Sequence, residues 1–239
     1  MKVAFLSDIH ANFPALWSAM EDARHRGARS FVVAGDIVGG GPHPVEVVRF
    51  LMKKRVAAIR GNVDRRTLSQ LNKPKKLEKK AKEGTLAALA RWAALQLGEE
   101  ERAWLSALPS ELRLTFGQSS VLVVHGSPIG DEDYVYPSIT TTALAAKLKE
   151  EKPDLLVCGH SHVPFVRKVA GTLVANCGSV GKPIDGDPRG SYALVDFQGR
   201  GAMSARIVRF EYPVEEAARD LERLRSGFAP AELRFGVKS

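Results

Sequence analysis

Carboxylate, carboxamide and imidazole donors recur in five short segments of this 239-residue chain. They are Asp8-Ile9-His10, Gly35-Asp36, Gly61-Asn62-Val63-Asp64, His125-Gly126 and Gly159-His160-Ser161-His162. Four of the six histidines (His10, His125, His160 and His162) fall in these segments. Taken singly, each segment has a plain explanation as a polar turn or a surface pair. The His-x-His pair is the strongest alone, because alternate residues of an extended segment point the same way. Jointly, the donors make a metal site. Imidazole with carboxylate suits Mn²⁺, Fe²⁺, Zn²⁺, Ni²⁺ or Co²⁺, and a set without cysteine disfavours a closed structural zinc site. Asp36 reads as the carboxylate that bridges two ions. Two divalent ions bring more positive charge than Asp8, Asp36 and a bridging hydroxide remove. A phosphate oxygen is then the favoured next ligand, and the hydroxide is a nucleophile generated near neutral pH.

The elements that must position these donors are legible around them. Lys2 to Ser7 reads as a first strand with Asp8 and His10 at its exit. Phe31 to Val33 reads as a second, buried strand. Ala34 and Gly35 allow close approach before Asp36. Val56 to Ile59 reads as a third strand ahead of Asn62. Pro14 and Pro44 open helices, the first expected to carry Leu16, Trp17, Met20 and Ala23 inward, the second Val45, Val48, Leu51 and Met52. This strand, polar exit, helix rhythm predicts a parallel sheet with helical cover, and ligands gather at the ends of such strands.

After the basic run Lys73 to Lys82, Leu86, Leu89, Ala93 and Leu97 recur at helical spacing. Trp104, Leu105 and Leu108 do so after Gly98. Neither half could bury much surface alone, so residues from about 68 to 108 are expected to form a helical insert within a single domain spanning 1–239. Leu112 to Phe116, Ser120 to Val124 and Leu155 to Val157 read as strands, the last two leading into His125 and the His160 segment. Thr140 to Glu151 reads as a helix with a threonine cap. Four short strands follow (Phe165 to Val169, Thr172 to Ala175, Ser191 to Phe197 and Ala205 to Phe210), then an amphipathic helix from Val214 to Leu224 and a loose tail.

Composition narrows the setting. Hydrophobic residues make up 44% of the chain, enough for a sizeable core, and no apolar run reaches the length of a membrane span. The opening apolar run meets Asp8 too soon for a signal peptide, and Cys158 and Cys177 suit a reducing compartment. A cytoplasmic protein is expected. The net charge of +8 favours anionic partners. Few of the basic residues are interleaved with aromatics, which gives little support to a stacking surface for single strands.

The order D-x-H, G-D, G-N-x-D, H, G-H-x-H resembles that of the calcineurin-like metallophosphoesterases. SDIHANFPAL, GDIVGGGPHPVE, IRGNVD, VHGSP, CGHSHVPF and NCGSVGKPIDGDPRGSYALVD are similar to the small bacterial and archaeal phosphodiesterase branch, as is the helical insert ending EEERAWLSALP. The resemblance implies a four-layer αββα sandwich of two mixed β-sheets. It also implies a dinuclear centre with Asp8, His10, Asp36 and His162 on one ion and Asp36, Asn62, His125 and His160 on the other. Manganese heads the candidate metals, with iron, nickel, cobalt and zinc as alternatives. The implied activity is hydrolysis of phosphate diesters through a metal-bridging hydroxide, with Asp36, Asn62 and His125 as the catalytic residues. A nuclease or cyclic-nucleotide diesterase using the same site is the second reading, with nucleic acid or a nucleotide as partner. A non-catalytic scaffold on the same fold is the third, and the completeness of the ligand set argues against it.

Two residues depart from the family pattern, and one of them, Ala11 where relatives often have glycine, puts no ligand in doubt. Many relatives have histidine where this chain has Val63, which can neither ionise nor hydrogen bond through its side chain. General acid help is worth roughly 10²–10⁴-fold. Its loss weighs against protein phosphatase activity and alkyl monoesters, and less against diesters with acidic leaving groups. His43 is expected to be a surface turn residue. Asp64 is expected to accept from a ligand histidine or a loop amide, and Asn12 to order the first loop or touch substrate. The small residues Asn176, Gly178, Ser179 and Gly181 are expected to allow close backbone approach. Neither cysteine is assigned to metal.

Overall fold

Alternation along single strands sorts the molecule into layers. In β1 (Lys2–Leu6), Ala4 and Leu6 face one apolar cluster while Val3 and Phe5 face another. In β5 (Ser119–Val124), Val121 and Val123 join the cluster that holds Val3 and Phe5, and Leu122 and Val124 point to a third. The Val3 and Phe5 cluster therefore lies between two sheets. The other two lie between a sheet and its helices. The computed structural model describes residues 1–72, 86–199, 201–223 and 230–237. The run Lys73 to Lys82 lies outside them.

The first sheet has the order β10-β9-β1-β2-β3. The strand β1 pairs in parallel with β2 (Ala28–Val33), which pairs in parallel with β3 (Ala57–Ala58). On its other side β1 takes β9 (Gly190–Gly199) antiparallel, and β10 (Ala202–Phe210) closes that edge. The second sheet runs β4 (Glu111–Phe116), β5, β6 (Leu155–Cys158), β8 (Thr172–Asn176), β7 (Phe165–Val169). Within it β5, β6 and β8 are parallel, and β4 and β7 are antiparallel at the two edges. Both sheets are thus mixed and five-stranded. Helices α1 (Phe13–His25), α2 (Pro44–Lys54) and α7 (Val214–Arg223) cover the first, and α6 (Thr141–Leu148) covers the second. The four-layer sandwich expected from the sequence is the fold observed.

Details differ from the periodicity. The inner face of α1 is Ala15, Leu16, Ala19, Met20 and Ala23. Trp17 is 49% exposed instead, lying on the flank against the Phe13 and Phe50 rings. In α2 the centre of the buried stripe is Val47, Val48 and Leu51, with Val45 and Met52 at its margins. A helix absent from the sequence reading, α3 (Asn62–Ser69), begins at the Asn62 segment. It is followed in the insert region by α4 (Leu86–Gln96) and α5 (Glu99–Ala107). Leu97 and Leu105 sink into the same cluster as α1 and α2, so these helices share the main core. The expectation of a loose tail fails over residues 230–237. There α8 (Pro230–Phe235) buries Leu233, and the Gly236 carbonyl accepts from Gly186 N–H.

Candidate metal centre

Every predicted donor sits at the same edge of the sandwich, where parallel strands of both sheets end. β1 delivers Asp8 and His10, β2 delivers Asp36, β5 delivers His125, and β6 delivers His160 and His162. Asn62 is the first residue of α3, one residue beyond the Gly61 that follows β3 and its exit. The turns that aim them are costly. Asp8, His10, Ala11, Asp36, His160 and His162 all have positive φ, between 49° and 63°. A left-handed non-glycine residue costs roughly 1–2 kcal/mol, and such strain is held only where surrounding bonds fix it. Here the Asp8, His10 and Ala11 amides donate to the Gly35, Asp36 and Ile37 carbonyls at 3.0, 3.0 and 2.9 Å. Gly181 N–H and Ser179 Oγ–H both donate to the Asp8 carbonyl. This is the close approach expected of the 176–181 loop: a Cβ on Gly181 would stand 1.9 Å from the Ile9 carbonyl oxygen. Ala11 occupies a position where glycine would be unstrained.

The histidines are oriented from behind. Nδ1 of His10, His125 and His162 lies 2.8, 2.8 and 2.5 Å from the carbonyl oxygens of Gly39, Ala34 and Lys182. Donation of Nδ1–H to those carbonyls fixes each ring with Nε2 directed inward, as metal-binding imidazoles require. The carboxylates are held likewise. Asp8 Oδ2 accepts from Ser7 Oγ–H at 2.6 Å and His160 N–H at 2.9 Å, and Asp36 Oδ1 accepts from Val63 N–H at 2.8 Å.

What remains is a set of donor atoms pointing at one another. His10 Nε2 and His162 Nε2 are 3.2 Å apart, and Asp8 Oδ1 lies 3.1 Å from the latter without a hydrogen bond. His125 Nε2 is 3.0 Å from Asn62 Oδ1 and 3.4 Å from Asp36 Oδ2. His160 Nε2 is buried and has no hydrogen-bond partner. Orphaned buried acceptors carry a penalty of roughly 1–3 kcal/mol each unless something satisfies them. The donors form two clusters, Asp8-His10-His162 and Asp36-His125-His160, each with its ligand atoms within 4.8 Å of one another. That is the donor chemistry and crowding a dinuclear divalent-metal centre uses, and the residues fit such a group.

The electrostatics agree. Burial would raise the Asp8 and Asp36 carboxyl pKa values, but facing histidines, chiefly His162 and His125, hold both below the usual range. For His125, burial is outweighed by the Asp36 and Asp8 charges, and its pKa is pushed up to about 10. Protons here occupy ground that cations would take. Asp64 is the exception. Burial and then the Asp36 charge push it up to about 7, although Val38, Gly61 and Ile37 amides donate to it. Its expected role as an acceptor for loop amides is the one observed.

Other expectations are refined. Asn12 orders the first loop, capping α1 through Ala15 N–H and donating to the Gly181 carbonyl. His43 is partly buried at the start of α2 and lies 3.1 Å from Asp220 of α7, so it is not a solvated turn residue. Cys158 and Cys177 are buried and free. The sequence reading missed Tyr134, Tyr136, Lys182 and Ile184, which line the cleft over the donors together with Val63 and Arg66. The alternation Tyr134-Val135-Tyr136 after the His125 segment was the signal available.

A family model for the calcineurin-like phosphoesterase superfamily domain matches residues 1–200. Uncharacterized protein MJ0912 of Methanocaldococcus jannaschii is 29% identical, over 90% of this chain and 89% of its own length. Phosphodiesterase YfcE of Escherichia coli K12 is 27% identical, over 82% of this chain and 88% of its own. The crystal structure of a metallophosphoesterase from Sphaerobacter thermophilus superposes with a TM-score of 0.79 at 28% identity, covering 99% of both chains. The matched region takes in all the strand ends described above, and the chain belongs to the calcineurin-like phosphoesterase superfamily.

Proposed function

We propose that this protein is a metal-dependent phosphodiesterase that hydrolyses phosphate diesters with acidic leaving groups. Asp8, His10, Asp36 and His162 would hold one divalent ion, and Asp36, Asn62, His125 and His160 the other. When bound, such a pair supplies Lewis-acid polarisation of the phosphoryl oxygens and a water acidified towards neutral pH. The observation that supports this reading most strongly is the convergence of two His/Asp clusters from four strand ends, with Asp36 able to serve both.

The chain's own groups do the rest. Asp36 is oriented by Val63 N–H, and His125 by the Ala34 carbonyl, so neither donor must reorganise as charge shifts during reaction. Arg66 and Lys182 line the same cleft, paired with Glu132 and Glu232 at 3.0 Å each. Val63 lines it too, and supplies no proton. An aryl oxygen can depart without one, whereas an alkoxide cannot do so readily. The curated E. coli relative that bears the name phosphodiesterase supports the diester assignment. Manganese is our first choice of metal. A cytoplasmic setting is part of the same reading, supported by two free buried cysteines, as is one domain over 1–239 with a helical insert at about 68–108.

The test is cleavage of bis(p-nitrophenyl) phosphate by protein stripped with a chelator and resupplied with Mn²⁺. Activity should vanish on stripping, return with metal, and fall to background in Asp36→Asn. Activity that survives chelation would refute the assignment.

A further inference from the structure

Resting on the reading of this cleft as a diesterase site, we infer that its substrates carry a nucleobase, and that Tyr136, backed by Tyr134, offers the ring face on which the base stacks. Val135 points inward and is fully buried, while Tyr134 and Tyr136 stay 47% and 42% exposed. Their rings lie nearly parallel, at an interplanar angle of 10° with centroids 5.4 Å apart, and Tyr134 in turn lies 4.3 Å over the His160 ring. Tyr134 is engaged by both His160 and Tyr136, so the outer face of Tyr136 is the one left for a ligand.

The stretch is also held in place. Lys147 Nζ and Ser127 Oγ donate to the Asp133 carboxylate, and Asn176 Nδ2 donates to the Val135 carbonyl. A platform ordered before binding loses little freedom when it takes a ligand. Both tyrosines line the same cleft as His160, a candidate metal ligand, so a nucleotide bound there would have its phosphate and its base in one cleft. Arg66 and Lys182 line the same cleft as the two tyrosines. Base-on-aromatic stacking is worth about 1–3 kcal/mol per base and tolerates any base, because each has a π face. Preference for a nucleobase over none, with little discrimination among bases, is the expected specificity.

The experiment is calorimetric titration of Mn²⁺-supplied protein with AMP and, separately, with ribose 5-phosphate. These differ in the base alone. AMP should bind about tenfold or more tightly. That ratio should collapse in Tyr134→Ala/Tyr136→Ala, persist in Tyr134→Phe/Tyr136→Phe, and fall in the exposed single variant Tyr136→Ala, which guards against a folding defect in the double variant. Equal affinities in the wild type, no binding of either ligand, or a ratio unchanged by the alanine variants would overturn the inference. Failure of the diesterase reading shows separately, as absence of diester turnover with every metal.

Discussion

His125 carries the clearest consequence at the scale of single residues. Burial disfavours its charged form, but Asp36 and Asp8 prevail and raise its pKa from about 6.5 to about 10. The sign follows from that rise. Protonation of His125 stabilises the metal-free fold fully below about pH 6.5, and the contribution is lost as pH climbs through 10. A metal must displace that proton. Apparent Mn²⁺ affinity should therefore increase from about pH 6 to about pH 8.5, and calorimetry in buffers of different ionisation enthalpy should record proton release. Affinity that does not change with pH would contradict the ligand role of His125. Asp64 yields a second expectation. Replacing it with alanine strands the Ile37, Val38 and Gly61 amides. Each buried unpaired group costs about 1–3 kcal/mol, and in a chain of this size about 1 kcal/mol lowers Tm by roughly 2–4 °C. Asp64→Ala should lower Tm by several degrees in a thermal melt and weaken metal binding about 10–100-fold. Val63 gives a third. Turnover should fall steeply as leaving-group pKa rises across a series of aryl diesters, and Val63→His should flatten that slope.

At the scale of elements, the strand ends work because small residues let two sheets close on one point. A Cβ on Gly61 would meet Asp36 N at 2.3 Å and Asp36 Oδ1 at 2.2 Å, and one on Gly159 would meet Ser7 Oγ at 1.9 Å. The Asp36 backbone cannot yield without moving β2. Gly61→Ala should thus lower both Tm and metal stoichiometry, whereas alanine at Gly117, where nothing lies within 4 Å of the added Cβ, should retain full metal content. Metal analysis of the two purified variants makes the comparison. These strand ends were legible in the sequence because glycine and polar residues interrupt buried apolar runs abruptly. The α3 helix was not legible, since Gly61-Asn62-Val63-Asp64 has the composition of a turn. Its first turn is secured by Asp64 accepting from Gly61 N–H, a contact between residues three apart that periodicity does not reveal. Trp17 misled for a different reason. Its apolar ring fits a helix stripe, yet it lies on the flank and packs against Phe13 and Phe50. The Tyr134 and Tyr136 pair lies in a segment without helix or strand, where an alternation of three residues is too short to mark an element.

The whole molecule presents two five-stranded sheets whose donor-bearing ends face one opening, on a chain with a net charge of +8. Attraction of an anionic diester over distances beyond about 10 Å is screened by salt. The value of kcat/KM should therefore decline with ionic strength while kcat changes little, which steady-state kinetics in rising KCl would reveal. The ligand assignment itself rests on the convergence of four strand ends from two sheets. The most direct test counts metal and turnover together. Protein stripped of metal is resupplied singly with Mn²⁺, Ni²⁺, Co²⁺, Zn²⁺ and Mg²⁺, and the ions bound per chain are measured. Hydrolysis of an aryl phosphodiester is then compared with that of the matching monoester. Two ions per chain, with diester cleavage exceeding monoester cleavage, is the predicted result. Two bound ions without turnover of the diester under any metal would contradict it.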